Sequence, residues 1–176
     1  PPLDYLAAER DLLAERLRRG RPCLGICLGS QLLAAAAGAS VHRGRAGLEL
    51  GSLPIRWTAA ARGDAVIGDD APELCVAQWH EDTFSPVPGA TLLASSARYE
   101  QQVFRLGASY GFQAHVELDA DGFARWLDLG AAEIEAAGGD VEVLRAGLGV
   151  LRADDGRRRA LLDRLAAHFV AAARAR

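Results

Sequence analysis

Residues 25–29 read Gly25-Ile26-Cys27-Leu28-Gly29, and the fold turns on how this stretch is understood. Just before it, Pro22-Cys23-Leu24-Gly25-Ile26 is a short, nearly all-apolar run between punctuating residues, the pattern of a strand buried on both faces of a parallel sheet. Just after it, residues 28–37 are rich in Ala and Leu up to Gly38, so their propensity predicts a helix closed by a glycine cap. Strand, sharp turn and helix meeting at a cysteine form the thiol counterpart of the Gly-x-Ser-x-Gly nucleophile elbow. Glycine on both sides lets the backbones approach where a side chain would collide with the neighbouring strand or helix. The helix opening at Leu28 directs unpaired N–H groups and its positive dipole end at the sulfur, which favours the thiolate, the reactive form. Cys23 and Cys75 lie inside apolar runs and read as small buried residues, whereas neither core packing nor a generic turn calls for glycine on both sides of Cys27.

Outward from the elbow, Leu3, Leu6, Ala7, Leu13 and Leu17 recur at helical spacing among charged residues, so residues 3–19 read as an amphipathic helix ended by Gly20. Residues 39–42, 48–57, 74–79, 91–95, 102–106 and 110–114 are short β-like segments separated by Gly, Pro, Asp and Ser. Residues 121–136, 139–151 and 156–174 are rich in Ala, Leu, Arg and Glu and predict two or three helices. The expected architecture is a single α/β domain over residues 1–176, with a mostly parallel sheet flanked by helices in the flavodoxin-like manner.

Composition narrows the classes. Of 176 residues, 50% are apolar and 24% charged, which is globular and not disordered. Lys and Arg number 20 against 23 Asp and Glu, a net charge of −3, and without a dense basic run there is no electrostatic footprint for nucleic acid. No apolar stretch reaches the ~20 residues of a bilayer span, so no membrane partner is expected and a cytoplasmic location is the default. The 3 cysteines form no Cys-x-x-Cys pair, which argues against a disulfide framework or thiolate zinc site and fits a reducing compartment.

A thiol nucleophile needs a proton shuttle, and the chain has 4 histidines. His168 sits in a late amphipathic helix and reads as surface; His42, beside Arg43 and Arg45, has no neighbouring carboxylate to orient it. His115 follows the strand at 110–114, and Glu117 falls on the same face if the extended conformation persists to it, since side chains alternate along a strand. A carboxylate beside an imidazole is what an acid–base triad requires. In doubly wound sheets ligands bind beyond the carboxyl ends of strands, where Cys27 and His115 both fall.

Gly25-Ile26-Cys27-Leu28-Gly29-Ser30-Gln31 and Gly111-Phe112-Gln113-Ala114-His115-Val116-Glu117 resemble the two signatures of class I glutamine amidotransferases. Gln78-Trp79-His80-Glu81-Asp82-Thr83-Phe84 is similar to the Trp-His-Gly-Asp-Thr-Phe stretch of the stand-alone branch related to the amidotransferase half of GMP synthase. The similarity runs from about Leu3 to about Trp126. The resemblance implies hydrolysis of the glutamine side-chain amide: Cys27 attacks the carbonyl carbon, His115 protonates departing ammonia, and water cleaves the glutamyl thioester. Glu117 would orient His115, and the Leu28 N–H would meet the oxyanion. Gln31 matches a substrate-holding position, and His80 and Asp82 would lie on a loop flanking the pocket. No cofactor or metal is implied, since the thioester route needs only the triad and backbone donors.

This sequence departs from the family pattern at Ala114 and Val116, where Phe and Pro are usual, and at Glu81, where Gly is usual and a negative charge would come close to the pocket. The resemblance also implies one or two strands and a glycine-rich oxyanion loop ahead of residue 1, so the chain is expected to be N-terminally incomplete, in keeping with its lack of Met. The expected substrate is glutamine, with ammonia passed to an acceptor on a synthetase partner or elsewhere. A γ-glutamyl hydrolase or peptidase acting on γ-glutamyl conjugates is the alternative, and a redox-sensing domain on the same scaffold a further one.

Overall fold

The computed structural model describes residues 4–68 and 72–174. Helix α1, Asp4–Arg18, ends where Gly20 takes φ +62°, and residue 3, included in the expected helix, lies outside the described residues. Strand β1, Leu24–Ile26, leads directly into α2, Leu28–Ala36. The Ala39 N–H bonds the Ala34 carbonyl and the Gly38 N–H bonds that of Ala35, the double closure that a left-handed glycine, here φ +96°, permits.

Then follow β2 (Val41–Arg43), β3 (Glu49–Trp57), a short 3-10 turn (Ala61–Gly63), β4 (Glu73–His80), β5 (Asp82–Phe84), β6 (Thr91–Ser95), β7 (Val103–Leu106) and β8 (Ser109–Phe112). Six strands form one sheet in the order β1-β8-β7-β6-β3-β4, and β2 pairs with β5 in a second. The α/β class with flanking helices is as expected, but the sheet is mixed. Among the described residues only β1 and β8 run parallel, whereas β8-β7, β7-β6, β6-β3 and β3-β4 are antiparallel. From β6 to β8 the reason is connection length: β7 turns into β8 through Gly107 and Ala108 alone, and a parallel neighbour would need a crossover of a dozen residues or more.

The C-terminal region holds α3 (Ala120–Leu129), α4 (Ala131–Ala136), α5 (Val141–Ala146), α6 (Leu148–Ala153) and α7 (Asp155–Arg174), more helices than the two or three expected. Gly130 and Gly147 split the longer runs, and Asp119 and Asp140 cap α3 and α5 by accepting backbone N–H groups. Strand β4 is covered on both faces: Leu74 and Val76 enter a core shared with Leu161 and Leu165 of α7, while Cys75 and Ala77 enter one shared with Phe123, Leu127 and Leu151. A third cluster packs Leu13 and Leu17 of α1 and Leu33 of α2 against Phe84 and Phe104. Among the described residues no helix is long and apolar enough to cross a membrane.

Candidate active site

Because β1 ends at Ile26 and α2 begins at Leu28, Cys27 makes the reversal alone, at φ 49° and ψ −111°. It is the only non-glycine with positive φ among the described residues. Such a conformation costs roughly 1–3 kcal/mol and persists because neighbours enforce it. The Cys27 N–H donates to the Phe112 carbonyl at 2.8 Å, and its own carbonyl accepts from the Ser30 and Gln31 N–H groups and from Ser30 Oγ at 2.7 Å. A Cβ on Gly25 would overlap the Gly29 carbonyl, so the first glycine is a steric requirement. A Cβ on Gly29 would meet nothing within 4 Å, which corrects the expected clash there: α2 turns that face outward. Among the described residues the Leu28 and Gly29 N–H groups have no hydrogen-bond partner and stand free beside the sulfur's turn.

His115 lies just past β8, where its N–H donates to the Ala77 carbonyl at 2.9 Å and so ties it to β4. Its Nδ1 is 2.6 Å from Glu117 Oε1, and its ring meets Trp126 edge-on at 4.9 Å. Burial works against protonation of His115, but hydrogen bonding to Cys27 and Glu117 and their negative charge outweigh it and push the imidazole from 6.5 up to about 9. Between His115 and Glu117, the Val116 carbonyl accepts from Arg158 Nη1 at 2.9 Å. Arg158 is only 3% exposed and pairs with Asp155 on its own helix, so α7 holds the backbone that carries the two polar side chains. Sequence reading missed this arginine, since one more Arg in an Arg-rich helix carries no signal of burial.

Cys27 and His115 open onto one cleft of about 540 Å³, lined also by Trp79, Trp126, Leu129, Gly130 and Glu133. Trp79 comes from β4 and meets Trp126 of α3 edge-on at 6.5 Å. A Cβ on Gly130 would overlap the Trp79 ring, so that glycine lets the α3–α4 junction close over the indole.

Gln31, His80 and Asp82 are not among the cleft-lining residues. Strand alternation separates them: Trp79 faces the cleft, and His80, next along β4, is buried on the other side with Nε2 3.0 Å from Glu49 Oε2. Nor do His80 and Asp82 lie on a loop as expected: His80 ends β4 and Asp82 begins β5, with Glu81 alone between them. Gln31 is 7% exposed and spends its amide nitrogen on the Asp82 carbonyl and Gln113 Oε1. The Glu81 charge is paired with Arg43 outside the cleft lining, and Ala114 and Val116 are wholly buried in the core. His42 is exposed on β2. His168, expected at the surface, is half-buried, with Nε2 2.8 Å from the Ala108 carbonyl and its ring against Tyr110. Among the described residues no group of three or more His, Cys, Asp or Glu could hold a metal ion.

The family profile described as glutamine amidotransferase class-I matches residues 4–123. The glutamine amidotransferase-like protein YfeJ of Salmonella typhimurium is 36% identical over 115 residues, covering 65% of this chain and 48% of that protein. Gamma-glutamyl peptidase 4 of Arabidopsis thaliana is 31% identical over 123 residues, covering 67% of this chain and 49% of that protein. The chain thus spans about half the length of these curated relatives. A crystal structure of a glutamine amidotransferase from Thermotoga maritima superposes with a TM-score of 0.80 at 35% identity, covering 93% of this chain and 70% of that one.

Proposed function

The chain belongs to the class I glutamine amidotransferase family, and from that premise we propose that it hydrolyses a glutamyl side-chain amide with Cys27, His115 and Glu117 as its catalytic triad. The observation that carries the reading is one of convergence. A cysteine on a strained elbow and a histidine bonded at 2.6 Å to a carboxylate open onto the same cleft.

The Cys27 Sγ proton passes to His115 Nε2, and Glu117 balances the imidazolium through Nδ1. The thiolate attacks the amide carbon, and the Leu28 N–H stabilises the oxyanion as charge moves onto the carbonyl oxygen. The imidazolium returns its proton to the leaving nitrogen, so an amine departs and a glutamyl thioester remains. Water, deprotonated by His115, cleaves the thioester and restores the thiol. A synthetase partner would receive the ammonia if glutamine is the substrate.

A second reading rests on the cleft walls. Trp79, Trp126 and Leu129 present apolar surface beside Cys27, room for a leaving amine larger than ammonia, as a γ-glutamyl peptide would supply. The test is the protein's mass before and after incubation with a diazo-ketone glutamine analogue, together with amine release from glutamine and from γ-glutamyl dipeptides. One adduct on the wild type and none on Cys27→Ala supports the triad. Release from dipeptides without release from glutamine selects the second reading, and neither adduct nor release refutes both.

A further inference from the structure

A line of hydrogen bonds runs from the buried side of β4 to the elbow, and the chemistry above makes no use of it. Glu49, 2% exposed, accepts at Oε1 from Ser96 Oγ at 2.7 Å and at Oε2 from Gln102 Nε2 at 2.7 Å, while His80 Nε2 stands 3.0 Å from Oε2. His80 Nδ1 lies 3.0 Å from the Asp82 carbonyl oxygen, which is also 3.2 Å from Gln31 Nε2. Gln31 Nε2 lies 3.1 Å from Gln113 Oε1, and Gln113 Nε2 reaches Cys27 Sγ at 3.9 Å.

The direction of these bonds follows from what each group can do. A backbone carbonyl only accepts, so His80 presents Nδ1–H and Gln31 presents its amide nitrogen to Asp82. That nitrogen only donates, so the Gln113 atom facing it is the carbonyl oxygen, and the Gln113 NH2 faces the sulfur. Reversing Gln113 would set two donors against each other at a residue that is fully buried.

We infer that Gln113 donates an N–H to the Cys27 thiolate, and that Gln31 is the positioning residue that locks this donor in place, anchored through the Asp82 carbonyl to His80 and Glu49. The inference rests on Cys27 being the nucleophile and assigns the groups that tune it. A neutral thiol is a weak acceptor, whereas the sulfur left when the proton moves to His115 Nε2 accepts a charge-assisted bond, so the donor favours the ionised form. The titratable groups facing the sulfur are His115 beyond β8, with Glu117 behind it, and Glu133 of α4 across the cleft.

Alkylation of Cys27 by iodoacetamide, followed by mass from about pH 5 to about pH 10, reads the thiolate directly and needs no substrate. Gln113→Leu should move the midpoint of the rate profile up by about one unit, a roughly tenfold slowing below the midpoint, with the plateau unchanged. Gln31→Leu should move it the same way by less, and the double variant should match Gln113→Leu alone, because Gln31 acts only through Gln113. A profile for Gln113→Leu that superposes on wild type, or a double variant equal to the sum of the singles, overturns the inference. Should Gln113→Leu not fold, Gln113→Met, which keeps the length of the side chain, adds no charge and carries no N–H donor, decides by the same criterion. Shifted profiles in a protein that releases no amine would sink the hydrolase reading and leave the donor standing; amine release with superposed profiles would do the reverse.

Discussion

Replacing Glu117 by Gln removes the counter-charge from His115 with little change of shape, and its consequence for stability can be worked out. The imidazole is held near about 9 in the fold against 6.5 for an ordinary histidine. Between those values the folded state binds a proton that the unfolded state has released. The resulting stabilisation is fully present below about pH 6.5 and is lost as pH rises through about 9. Linkage over about pH 6.5 to about pH 8.5 gives a loss of roughly 2 kcal/mol in wild type. For 176 residues this lowers the thermal midpoint by about 4–8 °C. Cys75, pushed up to about 11 by burial and then by Asp154 and Glu73, destabilises the fold only above the ordinary thiol value of 9.0, outside this window. Calorimetry at three pH values in the window is the assay, and Glu117→Gln should cut the decline by half or more. A wild-type midpoint that is flat or rises across the window, or a Glu117→Gln slope equal to wild type, refutes the reasoning.

Three further outcomes are expected. Gly25→Ala should cost about 3 kcal/mol or more in chemical denaturation, because its Cβ overlaps the Gly29 carbonyl, while Gly29→Ala should be close to neutral because its Cβ meets nothing. Cys27→Gly should be more stable than Cys27→Ala by about 1 kcal/mol, since glycine alone adopts φ 49° without strain, and both should lack hydrolytic activity. His80→Leu takes one of three polar partners from the buried Glu49 carboxylate, which keeps Ser96 and Gln102, and should cost about 1–3 kcal/mol in urea unfolding, whereas Arg43→Ala, at an exposed pair with Glu81, should change stability by less than about 1 kcal/mol.

Where local chemistry governs, the sequence was legible. The elbow at residues 25–29, the glycine-capped helix after it and most strands follow from propensity and punctuation within a few residues of each position. The His115–Glu117 pair was legible from its spacing, although the expected extended conformation gives way to a turn at Val116 and Glu117, so the carboxylate reaches the imidazole across a turn and not along a strand face. The short strand β5 was missed because its partner, β2, lies some forty residues away, and nothing local in Asp82–Phe84 demands pairing.

Strand direction, by contrast, belongs to the tertiary structure. The apolar run at β1 fits its parallel pairing with β8, yet β8, β7 and β6 pair antiparallel because the connections between them are too short to cross over, and β3 pairs antiparallel with both β6 and β4. The same holds for the surroundings of the triad. Trp79, Trp126 and Leu129 become one cleft wall, and Arg158 becomes the clamp on the Val116 carbonyl, only when β4, α3 and α7 pack together. The residue types that do the chemistry, and their spacing, are properties of the chain. Which of His80 and Trp79 faces the nucleophile, and which way the Gln113 amide points, are set by partners distant in sequence, because a buried polar group takes its orientation from whatever satisfies its hydrogen bonds.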